Sequence, residues 1–372
     1  MDRGTAQRLL DEALPGAVVA AVAELAGGLS NANFRVDLEG RAEPVALRLY
    51  ARDPRQAGKE AALSRLVAPR VPAPPFLHLS EGGGSRPAWA VLGWAEGTRL
   101  DLAAPGRGRG DVEAIGRAVG GVLAAIHGHA MEANGFLGAD LRVAERVDLG
   151  RAGLLGHLWR CLLDGPGGER LGAEATGALL RFAEARGHLL EGWLDAPCLV
   201  HADFNGSNLL VGRDAAGGWR VTAVLDWEFA FAGSPAFDFG NLLRPPLGAL
   251  PGFAEAVAEG YAGAGGRLPE DWRRVSRIAD LHAWADFLSR PDAGPELVED
   301  ARRAVAETVR GDPAWRVALL PLALRSSGSG HARRSAERRS VRAARPRSAG
   351  RPRPARSRSR PGRSGRGGRS RC

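Results

Sequence analysis

Lysine is almost missing from this 372-residue chain: Lys59 stands alone among 51 basic side chains, and all the others are arginine. So lopsided a ratio has the look of GC-rich coding, and it weakens any claim that a given arginine was chosen over lysine. Cysteine is scarce as well. Cys161, Cys198 and Cys372 have neither metal-ligand spacing nor an even count, which excludes a disulfide framework and fits incidental or buried thiols in a reducing, cytoplasmic setting. No apolar run approaches the roughly 18 residues that read as a membrane span. The stretch Ala17–Ala23 is apolar but short and runs into Glu24, so it predicts a first helix or its packing face and no signal peptide. No Cys/His cluster points to zinc, and no Gly-x-Ser-x-Gly elbow points to a hydrolase.

What is present is ordinary in bulk and uneven in distribution. Hydrophobic residues make up 44% and charged residues 25%, the balance of a globular enzyme with a sizeable core. The length exceeds one usual domain, so two lobes are expected. The net charge of +9 misleads: seventeen arginines and one acid after Leu324 carry +16, which leaves residues 1–324 at −7. Residues 325–372 are almost entirely Arg, Ser, Pro, Gly and Ala and cannot bury enough apolar surface to offset chain entropy, so they are expected to be a disordered basic tail. With no aromatic side chain for base stacking, such a tail would hold nucleic acid only weakly, through the backbone and in a salt-dependent way. A reading-frame artefact of a GC-rich gene accounts for it equally well.

Hydrophobic spacing divides the rest. In the first hundred residues, GGLSNANFRVDL reads as a Gly-rich turn between extended segments, PVALRLY as a strand, KEAALSRLV as a helix and AWAVLGWAEG as a buried strand ending at Gly97. From Asp111 the pattern turns helical. DVEAIGRAVGGVLAAIHGHA opens on an acidic N-cap and stacks Ile115, Val119, Val122, Leu123 and Ile126 on one stripe. A long helix is expected over Ala173–Leu194, then short strands at CLVHAD and VTAVLDW, then helices between Pro251 and Arg310. The prediction is an α+β fold of two lobes: a small sheet-rich lobe over residues 1–96 and a larger, mostly helical lobe over 97–324.

The chemistry is concentrated in LVHADFNGSNLL and VLDWEFA. Phosphoryl transfer needs a carboxylate at the acceptor hydroxyl, and a second carboxylate with an amide oxygen to hold Mg²⁺ on the nucleotide phosphates. His201, Asp203 and Asn208 have the spacing His-x-Asp with Asn five residues on, and Asp226 ends a hydrophobic strand. These segments resemble the aminoglycoside phosphotransferase family, part of the protein-kinase-like superfamily that also holds choline and homoserine kinases. The catalytic loop there commonly reads like HGDLHPGN, against HADFNGSN here. The metal strand reads like IDWE, against LDWE at Leu225–Glu228, and GSPAFDFGNLL matches a GDPAYDLA pattern.

The resemblance implies a bilobal kinase-like fold, ATP and Mg²⁺ as cofactors, and transfer of the γ-phosphate to a hydroxyl of a small molecule. It implies that Asp203 orients or deprotonates that hydroxyl and that Asn208 and Asp226 coordinate the metal. His201 and Asp238 would be architectural, Asp238 by bonding to backbone or capping a helix. Upstream, Ser30 and Asn31 lie at the expected phosphate-cradling turn. Arg48 stands where kinases place lysine, with Glu60 as its helix partner, and Gly93 and Ala95 fall at the hinge that receives adenine. Arginine in place of lysine departs from the protein-kinase pattern and offers a planar fork in place of a point charge.

Weaker features remain. Asp280, Asp286, Asp292, Glu296, Glu299 and Asp300 would make an acidic pocket for a cationic acceptor, or else a solvated helix face. His127 and His129 end a helix, where capping is expected. A protein kinase is disfavoured because only about a dozen residues separate Asp226 from Asp238 and no Ala-Pro-Glu follows. The competing classes are a non-catalytic nucleotide-binding protein on the same fold and a nucleic-acid binder acting through the tail.

Overall fold

The structure, a computed structural model, describes residues 1–25, 31–50, 53–83 and 87–312. Ser30 and the basic tail lie outside the described residues. The chain begins with α1 (Arg3–Ala13), whose N-terminus is capped by the Asp2 carboxylate accepting from the Thr5 N–H at 2.8 Å. It continues through β1 (Val19–Glu24), β2 (Asn31–Leu38), β3 (Val45–Tyr50), α2 (Gln56–Val67), β4 (Phe76–Ser80) and β5 (Ala88–Gly93). The five strands form one antiparallel sheet in the order β1-β2-β3-β5-β4.

Alternation places Phe34, Val36 and Leu38 of β2 on one face, where they pack with Leu47, Val91 and the α1 residues Ala6 and Leu10. The opposite face carries Tyr50, Ala88 and Ala90 against Ala57 of α2. Two expectations fail here. Val19–Glu24 is a strand and not a helix, because β2 supplies it with a ladder partner from Leu38 to Phe34 that local spacing does not reveal. The buried strand ends at Gly93 and not Gly97: Gly93 is the last residue of β5 with a partner, Val45, the first residue of β3, and its N–H donates to the Pro75 carbonyl just ahead of β4 at 2.9 Å.

The second part comprises β6 (Thr98–Arg99), α3 (Leu100–Ala103), α4 (Arg109–His127), β7 (Gly135–Leu137), β8 (Val143–Arg146), α5 (Arg151–Trp159), α6 (Gly167–Leu171) and α7 (Ala173–Arg186). After it come β9 (Cys198–Val200), β10 (Leu209–Arg213), β11 (Trp219–Val224), β12 (Phe231–Gly233), α8 (Ala236–Leu242), α9 (Phe253–Gly263), α10 (Trp272–Ser289) and α11 (Pro295–Gly311). Two small sheets, β11-β10-β6 and β8-β7-β12-β9, hold the segments of chemical interest at their ends. Asp111 does not cap α4. Gly108 does, and the Asp111 carboxylate instead accepts from the indole N–H of Trp219 at 2.8 Å and from Arg213 at 3.0 Å.

The stripe on α4 is buried as expected apart from half-buried Val122, but glycine decides how it packs. A Cβ on Gly120 would lie 2.0 Å from the Val257 carbonyl oxygen, and one on Gly260 of α9 would lie 2.1 Å from the Arg117 carbonyl oxygen. The two helices touch backbone to backbone. Gly120→Ala is therefore expected to lower stability by about 1–3 kcal/mol through overpacking. Gly121→Ala, at a position with open space around it, should be neutral or gain up to about 1 kcal/mol from helix propensity. Thermal melts of the two variants that coincide would rule this packing out.

The helices α5, α7, α10 and α11 bury a second core around Leu154, Leu158, Phe182, Ile278 and Leu288. The acidic cluster on α10 and α11 is largely neutralised. Arg244 bonds both oxygens of buried Asp280, at 2.5 Å and 3.0 Å, Arg290 bonds Asp286 at 2.9 Å, and Asp300 and Glu299 face Arg303 and Arg302. Cys161 and Cys198 are buried free thiols whose pKa burial pushes up, as inert cysteines require. Among the described residues no helix is long and apolar enough to cross a membrane.

Candidate active site

His201 follows directly on β9 and Asn208 directly precedes β10, so the loop His201–Asn208 is held at both ends by sheet. Its first residues are fixed by α8. The Asp238 carboxylate, fully buried, accepts from the His201 N–H at 2.9 Å and the Ala202 N–H at 2.8 Å. The Asn241 amide donates to the Ala202 carbonyl at 3.1 Å. Ala202 sits at φ 67°, a left-handed conformation that costs an L-residue energy and is held here by these bonds on both sides of the peptide.

His201 is fully buried, and burial lowers its pKa, so the ring is neutral. Its Nε2 bonds the Leu225 carbonyl at 3.0 Å while Nδ1 accepts from the Asp203 N–H at 3.2 Å. The imidazole braces the loop against the end of β11 and has no nitrogen left for proton transfer.

Asp203 and Asn208 meet. The Asn208 amide donates to Asp203 Oδ2 at 2.7 Å and to the Asp203 carbonyl at 2.9 Å, and Asn205 donates to Asp203 Oδ1 at 2.8 Å. The Asn208 carbonyl accepts from the Leu225 N–H at 2.8 Å, which sets Asn208 beside Asp226. Asp226 also takes the left-handed conformation, with φ 63°, as the chain turns away from β11. Burial pushes its carboxyl up to about 7, against the pull of Arg48, and Glu60, Glu228 and Asp203 add to the rise.

Arg48 lies on β3 and Glu60 on α2. One guanidinium nitrogen is 2.8 Å from both Glu60 oxygens and 3.4 Å from Asp226 Oδ1. Burial works against the charge on Arg48, but Glu60 and Asp226 outweigh it and raise its pKa. Tyr50 completes the cluster by donating to Glu60 at 2.6 Å.

Arg48, Glu60, Asn208 and Asp226 line one cleft of about 320 Å³, together with Asn33, Leu92, Gly93, Trp94 and Ala95. Asn31 is not brought there by its side chain, whose amide donates to buried Glu228 at 3.0 Å; Asn33 bonds Arg48 at 2.9 Å instead. Gly93 has its N–H committed to Pro75, which leaves its carbonyl for a ligand. His127 does not cap α4. Its ring lies between Asp238 at 3.0 Å and the Tyr261 hydroxyl at 3.1 Å.

Asn33, Tyr50, Glu228 and Lys59 were not legible as site residues from local spacing, although a solitary lysine beside Glu60 was a signal in plain view. Among the described residues no group of three His, Cys, Asp or Glu side chains is arranged to hold a metal by itself. The donor set is one carboxylate and one amide oxygen, both hard, amid surplus negative charge. That suits Mg²⁺ completed by phosphate oxygens, which seldom has an all-protein cage.

The profile of the phosphotransferase enzyme family matches residues 21–278, more than half of the chain. Solved structures share the fold. The aminoglycoside phosphotransferase APH(4)-Ia is 20% identical, with a TM-score of 0.60 over 83% of this chain and 99% of its own. The macrolide 2'-phosphotransferase MphH from Brachybacterium faecium is 21% identical, with a TM-score of 0.56 over 80% and 98%. The GDP and kanamycin complex of APH(2")-IIia reaches 0.64 at 12% identity, over 83% and 99%. No curated protein matches.

Proposed function

Because the chain belongs to the phosphotransferase enzyme family, we propose that it transfers the γ-phosphate of ATP to a hydroxyl of a small molecule. One observation carries the reading: Asn208 bonds Asp203 on one side and the Leu225 N–H, next to Asp226, on the other, and Asn208 and Asp226 line the cleft that also holds the Arg48–Glu60 pair. Residues 1–96 would act as the nucleotide lobe and 97–324 as the lobe of catalysis and acceptor binding.

Bound at Asp226 and Asn208, Mg²⁺ would neutralise charge on the nucleotide phosphates. The protein's own groups do the remainder. Asp203, held by two amides, orients the acceptor hydroxyl and takes its proton. Arg48, fixed by Glu60, offers its free N–H groups to phosphate. The Gly93 carbonyl and the Ala95 backbone would hold the base against Leu92, and the buried neutral His201 keeps Asp203 in place.

The acceptors of the solved relatives include aminoglycosides and a macrolide, and this chain's acceptor is a hydroxyl compound of that general kind or an amino alcohol or other metabolite. ADP release measured against a panel of such compounds is expected to rise at least tenfold over the basal rate for one class. A purified protein that neither binds Mg·ATP nor turns it over would sink the reading.

A further inference from the structure

Lys59 stands on α2 directly before Glu60 and is 9% exposed. Its ammonium donates to the Glu228 carbonyl at 2.5 Å and reaches the Ala230 carbonyl at 3.4 Å. Both carbonyls belong to a tight turn, closed by the Ala230 N–H to the Trp227 carbonyl at 3.1 Å, which starts one residue after Asp226. A helix of the sheet-rich lobe thus holds, across 169 residues of chain, the backbone that follows the metal-site carboxylate. A second tie from the same lobe, Asn31 to the Glu228 side chain, falls on the same turn.

The chemistry of the contact favours lysine. Two carbonyls converge on one point in a nearly closed space, which suits a compact ammonium; a guanidinium is planar, wider and brings five donors that would all need acceptors. Burial disfavours the charge and lowers the pKa of Lys59, while Glu60, Glu228 and Asp53 support it. In a chain that has become arginine at every other basic position, the one remaining lysine occupies this contact.

We propose that Lys59 is a positioning residue that latches the turn after Asp226 to α2, so that Asp226, Glu60 and Arg48 are held in the one geometry that receives the metal ion. The inference rests on the kinase reading of the site. Groups that act through a metal ligand typically change affinity by about 10–100-fold when removed.

Lys59→Met keeps the aliphatic stem and loses the donors, and Lys59→Arg keeps the charge and loses the shape. In both, Mn²⁺ affinity in the presence of ADP, measured by calorimetry, should fall by about tenfold or more. The Mg²⁺ midpoint for ATP turnover should rise in step, with the acceptor KM within about twofold of wild type. Hydrogen exchange should quicken at residues 227–231 and stay unchanged in α4 and α9. Wild-type Mn²⁺ affinity with wild-type exchange in Lys59→Met would overturn the latch, and a fully active Lys59→Arg would overturn the need for a point charge. Should Lys59→Met not fold, Lys59→Arg is read in the same assays. A wild-type chain without metal-dependent nucleotide binding would instead remove the kinase reading, and the exchange measurement would still decide the latch.

Discussion

Asp203→Asn is expected to lower kcat by about 10²–10⁴-fold, the usual contribution of a positioned general base, while Mg·ATP affinity stays within a few-fold. The loop geometry explains the split. Asp203 bonds Asn205 and Asn208 and accepts nothing from Arg48, whose fork is turned to Glu60 and Asp226. The substitution is not silent structurally: one carboxylate oxygen becomes an NH₂ that faces the amide of Asn205 or Asn208. A lost hydrogen bond of that kind costs about 1–3 kcal/mol, so thermal melts belong beside the kinetics. Normal phosphate transfer by the variant, or nucleotide affinity that fell in step with activity, would show that this loop is not the catalytic loop.

Asp226→Asn should abolish metal-dependent transfer and at the same time make the ligand-free protein more stable. The sign follows from proton uptake. Folding raises the Asp226 pKa from 3.8 to about 7, so the folded chain binds a proton that the unfolded chain releases between these values. The carboxylate therefore weighs against the fold increasingly as pH rises through this window, and fully above it. Three units correspond to about 4 kcal/mol at most. A quarter of the side chain reaches solvent, which reduces the figure to on the order of 1–2 kcal/mol. The asparagine variant should melt several degrees higher than wild type at pH 8, keep roughly a third of that advantage at pH 5 and lose it below the unfolded value of 3.8. Equal melting at pH 8, or retained Mg²⁺-dependent transfer, would contradict the assignment.

The parts legible in the sequence were those whose chemistry is local. His201, Asp203 and Asn208 lie within eight residues, and their spacing, with the family resemblance it supports, singled out the segment that α8 and β11 hold in place. Arg48 and Glu60 were readable as a pair only through the family resemblance, while period alone gave their strand and their helix. Long-range partners escaped. Nothing near Val19–Glu24 announces the ladder to β2, nothing near Asn31 announces Glu228, and the closeness of α4 to α9 depends on glycines 116, 120 and 260, which a stripe of apolar residues conceals. Asp280 read as part of a charged patch because its arginine partner, Arg244, lies 36 residues away.

Asp238 has an implication for timing. One carboxylate at 0% exposure joins two consecutive loop amides to His127 of α4, so the start of the loop His201–Asn208 is expected to become ordered with the core, before any ligand arrives. A loop held this way is expected to lose its geometry only when the fold does. Residual activity after heating should follow the global melting curve point for point, with no earlier inactivation phase, and the acceptor's affinity should carry little of the entropy penalty that a loop assembled on binding would impose.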